Sequence, residues 1–295
     1  MSKSAFIGII GRPNVGKSTL LNQILGEKIA ITTPKPQTTR NSIRGIYTNG
    51  DTQLVFIDTP GIHKARTKLG SAMSDMALST LGDVDLVLLL LDATEESGPG
   101  DRYIMEMLRQ VDTPCFLLLN KIDAADPDRF KALYDRYVDS GDFDRVFGIS
   151  ALDGKNVDQL LQAAEALAEE GPMYFPADMI TESPERFLVS ELIREKVLLY
   201  LEEEIPHGVA VEIESFQEEE GLTRIGAVIY CEKKSHKGII IGKQGRKLKG
   251  IGKAARMEIE GLLGTHVFLE LWVKVKENWR NSDFALSHFG YKEQE

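Results

Sequence analysis

Four short stretches carry residue types whose spacing can do chemistry. Residues 11–18 read GRPNVGKS and fit G-x-x-x-x-G-K-[ST], a pattern whose glycines let backbone N–H groups point at phosphate oxygens. Gly11 and Gly16 supply the turn, and Arg12, Pro13, Asn14 and Val15 form the loop between them. Lys17 reaches the β and γ phosphates of a nucleoside triphosphate, the Ser18 hydroxyl is a ligand for Mg²⁺, and Thr19 follows in the first helical turn. Residues 58–61 read DTPG. There Asp58 can hold Mg²⁺ through water, the Gly61 N–H can bond a γ-phosphate present only before hydrolysis, and Thr59, Pro60 and Ile62 complete that side. Residues 120–123 read NKID. The Asp123 carboxylate can accept the guanine N1–H and N2–H pair, which adenine cannot offer, while Asn120 meets another base edge and Lys121 packs along the base. Ser150, Ala151 and Leu152 can touch the guanine O6 through their backbone.

The elements that must position these residues follow from hydrophobic pattern. Residues 5–10 (AFIGII) read as a buried strand running into the first stretch, with a helix over 18–26. Residues 43–48 and 53–57 form a hairpin about Asn49-Gly50, and the second strand delivers Asp58. Helices at 69–82, 101–110, 127–140 and 157–169 then alternate with strands at 85–91, 114–119 and 145–149. Such alternation implies an α/β unit with a mostly parallel sheet covered on both faces, where ligands gather beyond the carboxyl ends of the strands. All four stretches sit at such ends.

Composition bounds the class. The 295 residues are 42% hydrophobic and 27% charged, as in a globular protein of two domains. The longest purely apolar run, residues 86–91, is far too short for a membrane span. With no secretory segment at the start and two cysteines that form no metal or disulfide pattern, a cytosolic protein is expected. Net charge is −10, yet residues 233–256 hold nine Lys or Arg and no acid, which leaves −19 on the rest. An acidic body with one basic surface suggests a phosphate-bearing partner.

That basic stretch lies in the second half. Residues 173–184 break the alternation as a linker; the expected domains are 1–172 and 185–280, with 281–295 a tail. A helix at 185–204, strands at 209–216 and 223–232, two short helices and a strand at 266–275 give an α+β unit. Between its short helices stand Gly242, Lys243, Gln244 and Gly245, a G-x-x-G, followed by Arg246, Lys249 and Lys253 on one helix face, with Arg256 continuing it. Element order and loop resemble the type II KH domain, whose G-x-x-G clamps the backbone of single-stranded RNA. Ile239, Ile240, Ile241 and Leu248 read as core.

The first-half motifs resemble G1, G3, G4 and G5 of the translation-factor-related GTPases. The resemblance implies a P-loop GTPase domain with Lys17, Thr39, Asp58 and Gly61 as its catalytic set. It makes residues 27–41 switch I and gives Thr39 the role of closing over Mg²⁺ and the γ-phosphate, with Thr38, Thr32 and Thr33 open as alternatives. Ile62 stands where Ras-like GTPases carry a water-orienting glutamine, which implies slow intrinsic turnover. In similar GTPases an asparagine at the place of Asn14 coordinates K⁺, so K⁺ is expected to accelerate hydrolysis with Asn14 and Thr38 as ligands. A GTPase with a C-terminal type II KH domain, ending in ELWVKVKENW and ALSHFGY, resembles the Era-like GTPases over essentially its whole length. What this implies is a monomeric GTP-hydrolysing switch that binds the 16S rRNA 3′ end and the small ribosomal subunit during 30S assembly. Some peripheral association with the inner face of the cell membrane is implied as well. An RNA-binding scaffold with a structural nucleotide site, and a GTPase partner of an RNA-modifying enzyme, are the alternative readings.

Overall fold

A computed structural model gives the fold and describes residues 1–203 and 205–292. The chain divides into two units, Met1–Ala65 with Met73–Glu182, and Arg66–Ala72 with Ser183 onward.

The first unit carries β1 (Lys3–Gly11), α1 (Lys17–Leu25), β2 (Ile43–Asn49), β3 (Thr52–Asp58), α2 (Lys68–Ser79, which begins in the other unit), β4 (Leu86–Asp92), α3 (Pro99–Leu108), β5 (Cys115–Asn120), α4 (Pro127–Ser140), β6 (Arg145–Gly148), α5 (Val157–Leu167) and β7 (Glu169–Glu170). Strand order is β2-β3-β1-β4-β5-β6; β2 runs antiparallel to β3 and the other pairs are parallel. The two-residue β7 pairs antiparallel with the start of β1, and its first residue, Glu169, is where the sequence suggests a helix ends. A pair of glutamates shows no alternation from which to read a strand.

Both faces of the sheet are covered, so its central strands are apolar throughout. Ile10, Val87, Leu89 and Leu119 pack with Ala77 of α2, Ile104 of α3 and Leu133 of α4. Leu20 and Leu21 of α1 and Leu160 of α5 are fully buried as well. Register then fixes the site: Ile9 pairs with Asp58, Asp92 with Asn120 and Leu119 with Gly148, so the ends of β1, β3, β5 and β6 share one edge.

The second unit carries α6 (Glu185–Tyr200), β8 (Ala210–Glu219), β9 (Leu222–Cys231), α7 (Lys234–Ile241), α8 (Arg246–Leu263), β10 (His266–Val275) and α9 (Asp283–His288). Its sheet runs β10-β9-β8, with β8 and β9 antiparallel and β10 parallel to β9. Helix α6 is buried from Leu188 to Leu198 save Ser190, charged residues included. Its charges are paired rather than solvated, as burial requires. Arg194 donates to both Glu191 oxygens at 2.7 and 2.5 Å, and Lys196 bridges Glu195 and Glu258. The helix stops at Tyr200, short of the end at 204 expected from the sequence; Glu204 itself lies outside the described residues.

The expected tail is folded as far as described. Trp279 is fully buried, its ring edge-on to Phe289 at 5.2 Å and stacked on Tyr291 at 5.8 Å. Its indole N–H donates to the Gly208 carbonyl at 2.9 Å. Truncation therefore removes core volume and a buried hydrogen bond together. Trp279→Ala is expected to cost about 3–5 kcal/mol of the second unit's stability, read by urea unfolding. Among the described residues, no helix is long and apolar enough to cross a membrane.

Candidate functional site

The turn after β1 is built for close approach. Gly16 has φ 104°, and a Cβ there would lie 2.2 Å from Asn120 Nδ2; at Gly61 a Cβ would lie 2.5 Å from the Pro13 nitrogen. Only glycine lets these loops meet. Against the turn opens a cavity of about 270 Å³, lined by Pro13, Asn14, Lys17, Ser18, Thr39 and Gly61 among others.

The chemistry of that cavity centres on Asp58. Ser18 Oγ donates to Asp58 Oδ2 at 2.6 Å and lies 2.8 Å from Thr39 Oγ1. Asp58 Oδ1 is buried with no hydrogen-bond partner among the described residues. Two hydroxyls and a carboxylate with an unspent oxygen are the donor set a hard cation such as Mg²⁺ takes. Thr33 and Thr38 instead bond each other at 2.6 Å, and Thr38 donates to the Lys35 carbonyl. Lys17 Nζ donates to the carbonyls of Arg12 at 2.9 Å and Gly11 at 3.3 Å. Burial pushes the Lys17 ammonium down to about 8 against the pull of Asp58. Burial likewise pushes Asp58 up to about 6, opposed by Lys17, Ser18 and Thr39. Both groups are charged only at an electrostatic cost that phosphate and cation would relieve.

Other expected residues serve the scaffold. The Arg12 side chain leaves the cavity to meet Asp101 at 2.6 Å, and Asp101 also accepts the Gly98 N–H at the start of α3. Thr59 Oγ1 donates to the Ile9 carbonyl, and Ile62 is core. Asn14 has φ 64°, and its Nδ2 donates to the Pro34 carbonyl at 2.9 Å, tying the turn to the loop before β2.

On the far side, Asn120 ties two loops together. Its Nδ2 donates to the Val15 carbonyl at 2.8 Å and its Oδ1 accepts the Ala151 N–H at 2.9 Å. A buried amide must satisfy both ends, and these bonds join two loops while leaving the second Nδ2 hydrogen for the expected base edge. Lys121 takes φ 67° and ion-pairs with Asp92 at 2.6 Å. Asp92 stays below the usual carboxylate range; burial opposes this, but bonds from Lys121 and Thr94 prevail. Asp123 is exposed, Ser150 and Ala151 are buried, and Leu152 points to solvent.

The second unit has its own candidate. The G-x-x-G is left-handed at Gly242 (φ 72°), Gln244 (φ 54°) and Gly245 (φ 74°), and Lys243 and Gln244 are exposed. Beside it a cleft of about 540 Å³ runs between α8 and β10. Lys249, Lys253 and Arg256 contribute charge, while Leu248, Phe268 and Leu271 contribute apolar wall. Arg246 instead meets Gln244 Oε1 at 3.4 Å. Ile240 is fully buried, but Ile239 is exposed and Leu248 lines the cleft, so the expected core is partly surface: a helix lying on a sheet turns only one stripe inward. Phe268 and Leu271 escaped sequence reading because the alternation of β10 places them on opposite faces of an edge strand, so no single face marks both.

Family models match in both halves: "50S ribosome-binding GTPase" over residues 6–121 and "KH domain" over residues 204–280. The chain is 58% identical to the GTPase Era of Alkaliphilus oremlandii (strain OhILAs) over 291 residues, 98% of this chain and 99% of that one. It is 55% identical to the GTPase Era of Clostridioides difficile (strain 630), with both chains fully covered. A crystal structure of Era in complex with MgGDPNP and nucleotides 1506–1542 of 16S ribosomal RNA superposes with a TM-score of 0.95 at 38% identity, covering 99% of each chain.

The two shifted groups set a pH window. A nucleotide held in this cavity with a divalent cation would need Lys17 protonated and Asp58 ionised, so affinity is expected to peak between about pH 6 and pH 8. Below the window Asp58 takes up a proton; above it Lys17 loses one. Titration with a fluorescent guanine nucleotide in Mg²⁺ buffers checks this, and Asp58→Asn should remove the acid limb from the affinity that remains.

Proposed function

The chain belongs to the Era family of GTPases and hydrolyses GTP, and from that premise we propose that it is a switch gripping ribosomal RNA in small-subunit assembly. The phosphates of GTP occupy the cavity at the end of β1, with Lys17 and the backbone N–H groups of residues 11–18 and of Gly61 around them. Ser18, Thr39 and Asp58 hold Mg²⁺, which when bound neutralises charge gathering on the transferred phosphoryl group. Asp123 reads guanine, with Lys121 along the base and the backbone of residues 150–152 at its O6. Asn120 acts by holding the phosphate turn against that loop. The observation that carries the nucleotide reading is the convergence of Ser18, Thr39 and the unpaired Asp58 oxygen beside Lys17.

The cleft between α8 and β10 takes single-stranded RNA, with the G-x-x-G backbone, Lys243, Lys249 and Lys253 against phosphates and the apolar wall against bases. The relative solved with nucleotides 1506–1542 of 16S rRNA supports the 3′ region of that RNA as the partner. A monomer acting in the cytoplasm, with some contact to the membrane surface, completes the reading. In an RNA titration, Lys249→Ala with Lys253→Ala is expected to weaken binding and to flatten the log–log salt dependence by about 0.7 for each phosphate no longer neutralised. Unchanged affinity and slope would place the RNA elsewhere.

K⁺ belongs to this proposal too. Asn14 spends its Nδ2 on the Pro34 carbonyl, which leaves the side-chain oxygen to face a cation. Turnover is expected to be faster in K⁺ than in Na⁺ at matched ionic strength, and Asn14→Ala should erase the difference.

A further inference from the structure

Ile62 is buried in the core and cannot orient water, yet the cavity does contain a glutamine. Gln37, from the loop before β2, lines it together with Lys17, Ser18, Thr39 and Gly61. Its backbone is left-handed, φ 61°, a conformation a non-glycine residue keeps only when its surroundings hold it.

What holds the side chain is His63. Gln37 Nε2 lies 2.9 Å from His63 Nε2, and His63 Nδ1 lies 2.9 Å from the Gly61 carbonyl oxygen. The His63 carbonyl in turn accepts from Ser74 Oγ at 3.3 Å. Proton logic orders this chain. A carbonyl oxygen only accepts, so Nδ1 carries the imidazole proton; Nε2 of the neutral ring is then an acceptor, and it takes an N–H from the Gln37 amide. Oε1 is thereby left without a hydrogen bond among the described residues, on a side chain that lines the phosphate cavity. The anchor is Gly61, whose own N–H is assigned to the γ-phosphate, so amide and phosphate share one reference point.

We propose that Gln37 orients the attacking water in GTP hydrolysis and that His63 is the positioning residue that fixes its amide. This rests on the reading of the cavity as the phosphate site. Gln37 Oε1 accepts one O–H of the water, turning its oxygen lone pair toward the γ-phosphorus. The new P–O bond forms as the bond to the β–γ bridging oxygen breaks; GDP leaves with that electron pair, and the water protons end on the released phosphate and solvent. The amide takes no proton.

The test is single-turnover GTP hydrolysis by the full-length protein, with the affinity of GDP and of a non-hydrolysable GTP analogue measured in parallel. Gln37→Ala and Gln37→Gly are both expected to slow hydrolysis about tenfold or more while affinity stays within about threefold. The glycine variant relieves the left-handed backbone, so an equal loss in both assigns the effect to the amide. His63→Phe should slow hydrolysis less, and adding it to Gln37→Ala should slow hydrolysis no further, since it acts through Gln37. A Gln37→Gly variant hydrolysing at the wild-type rate would overturn the proposal, as would affinity falling in step with rate. Lys17→Ala is the separate control: normal nucleotide affinity in that variant would sink the phosphate-site reading itself.

Discussion

A buried carboxylate with half its hydrogen-bonding capacity unspent is the constraint on which the first unit turns. Asp58 sits at 0% exposure, holds Ser18 with one oxygen and leaves the other bare. An ionised carboxyl so buried is costly, which is why its titration is pushed up while burial pushes that of neighbouring Lys17 down. The site is therefore prepared for charge it does not itself supply. Through Ser18 and Thr39, one side chain joins the phosphate turn, the end of β3 and the loop before β2. A loop held by such a contact can respond to what occupies the cavity.

The sheet makes this possible. Parallel strands with apolar cores on both faces put every carboxyl end on one edge and keep their register, so loops far apart in sequence arrive together. Asn120 then locks two of them, committing its amide to Val15 and Ala151. Arg12 acts similarly on the outer side, where Asp101 secures both the phosphate turn and the start of α3. The polar side chains at this edge bond mostly to other loops, and only a few groups remain to face a ligand.

The second unit solves a different problem. Its central helix α6 brings charges into the interior and neutralises them internally, Arg194 with Glu191 and Lys196 between Glu195 and Glu258. Charge on α8 is left at the surface, where Lys249, Lys253 and Arg256 border an apolar wall. Basic rim and hydrophobic wall together suit a ligand with a charged backbone and flat bases.

How much of this was legible in the sequence depended on the range of the interaction. GRPNVGKS, DTPG, NKID and the G-x-x-G could be read because their demands are local: glycine where φ is positive, a carboxylate at a strand end, lysine beside glycine. Strand and helix alternation, and hence the common edge, followed from hydrophobic period. Pairing across the fold could not be read. Nothing in the sequence says that Asn120 closes on Val15, that Gln37 meets His63, that Thr38 turns to Lys35, or that Trp279 seals the second unit against Gly208. Sequence determined which chemistry was present and which strand ends would carry it. Tertiary structure decided which side chains face the ligand and which serve each other, because a buried polar group bonds whichever partner packing brings within about 3 Å.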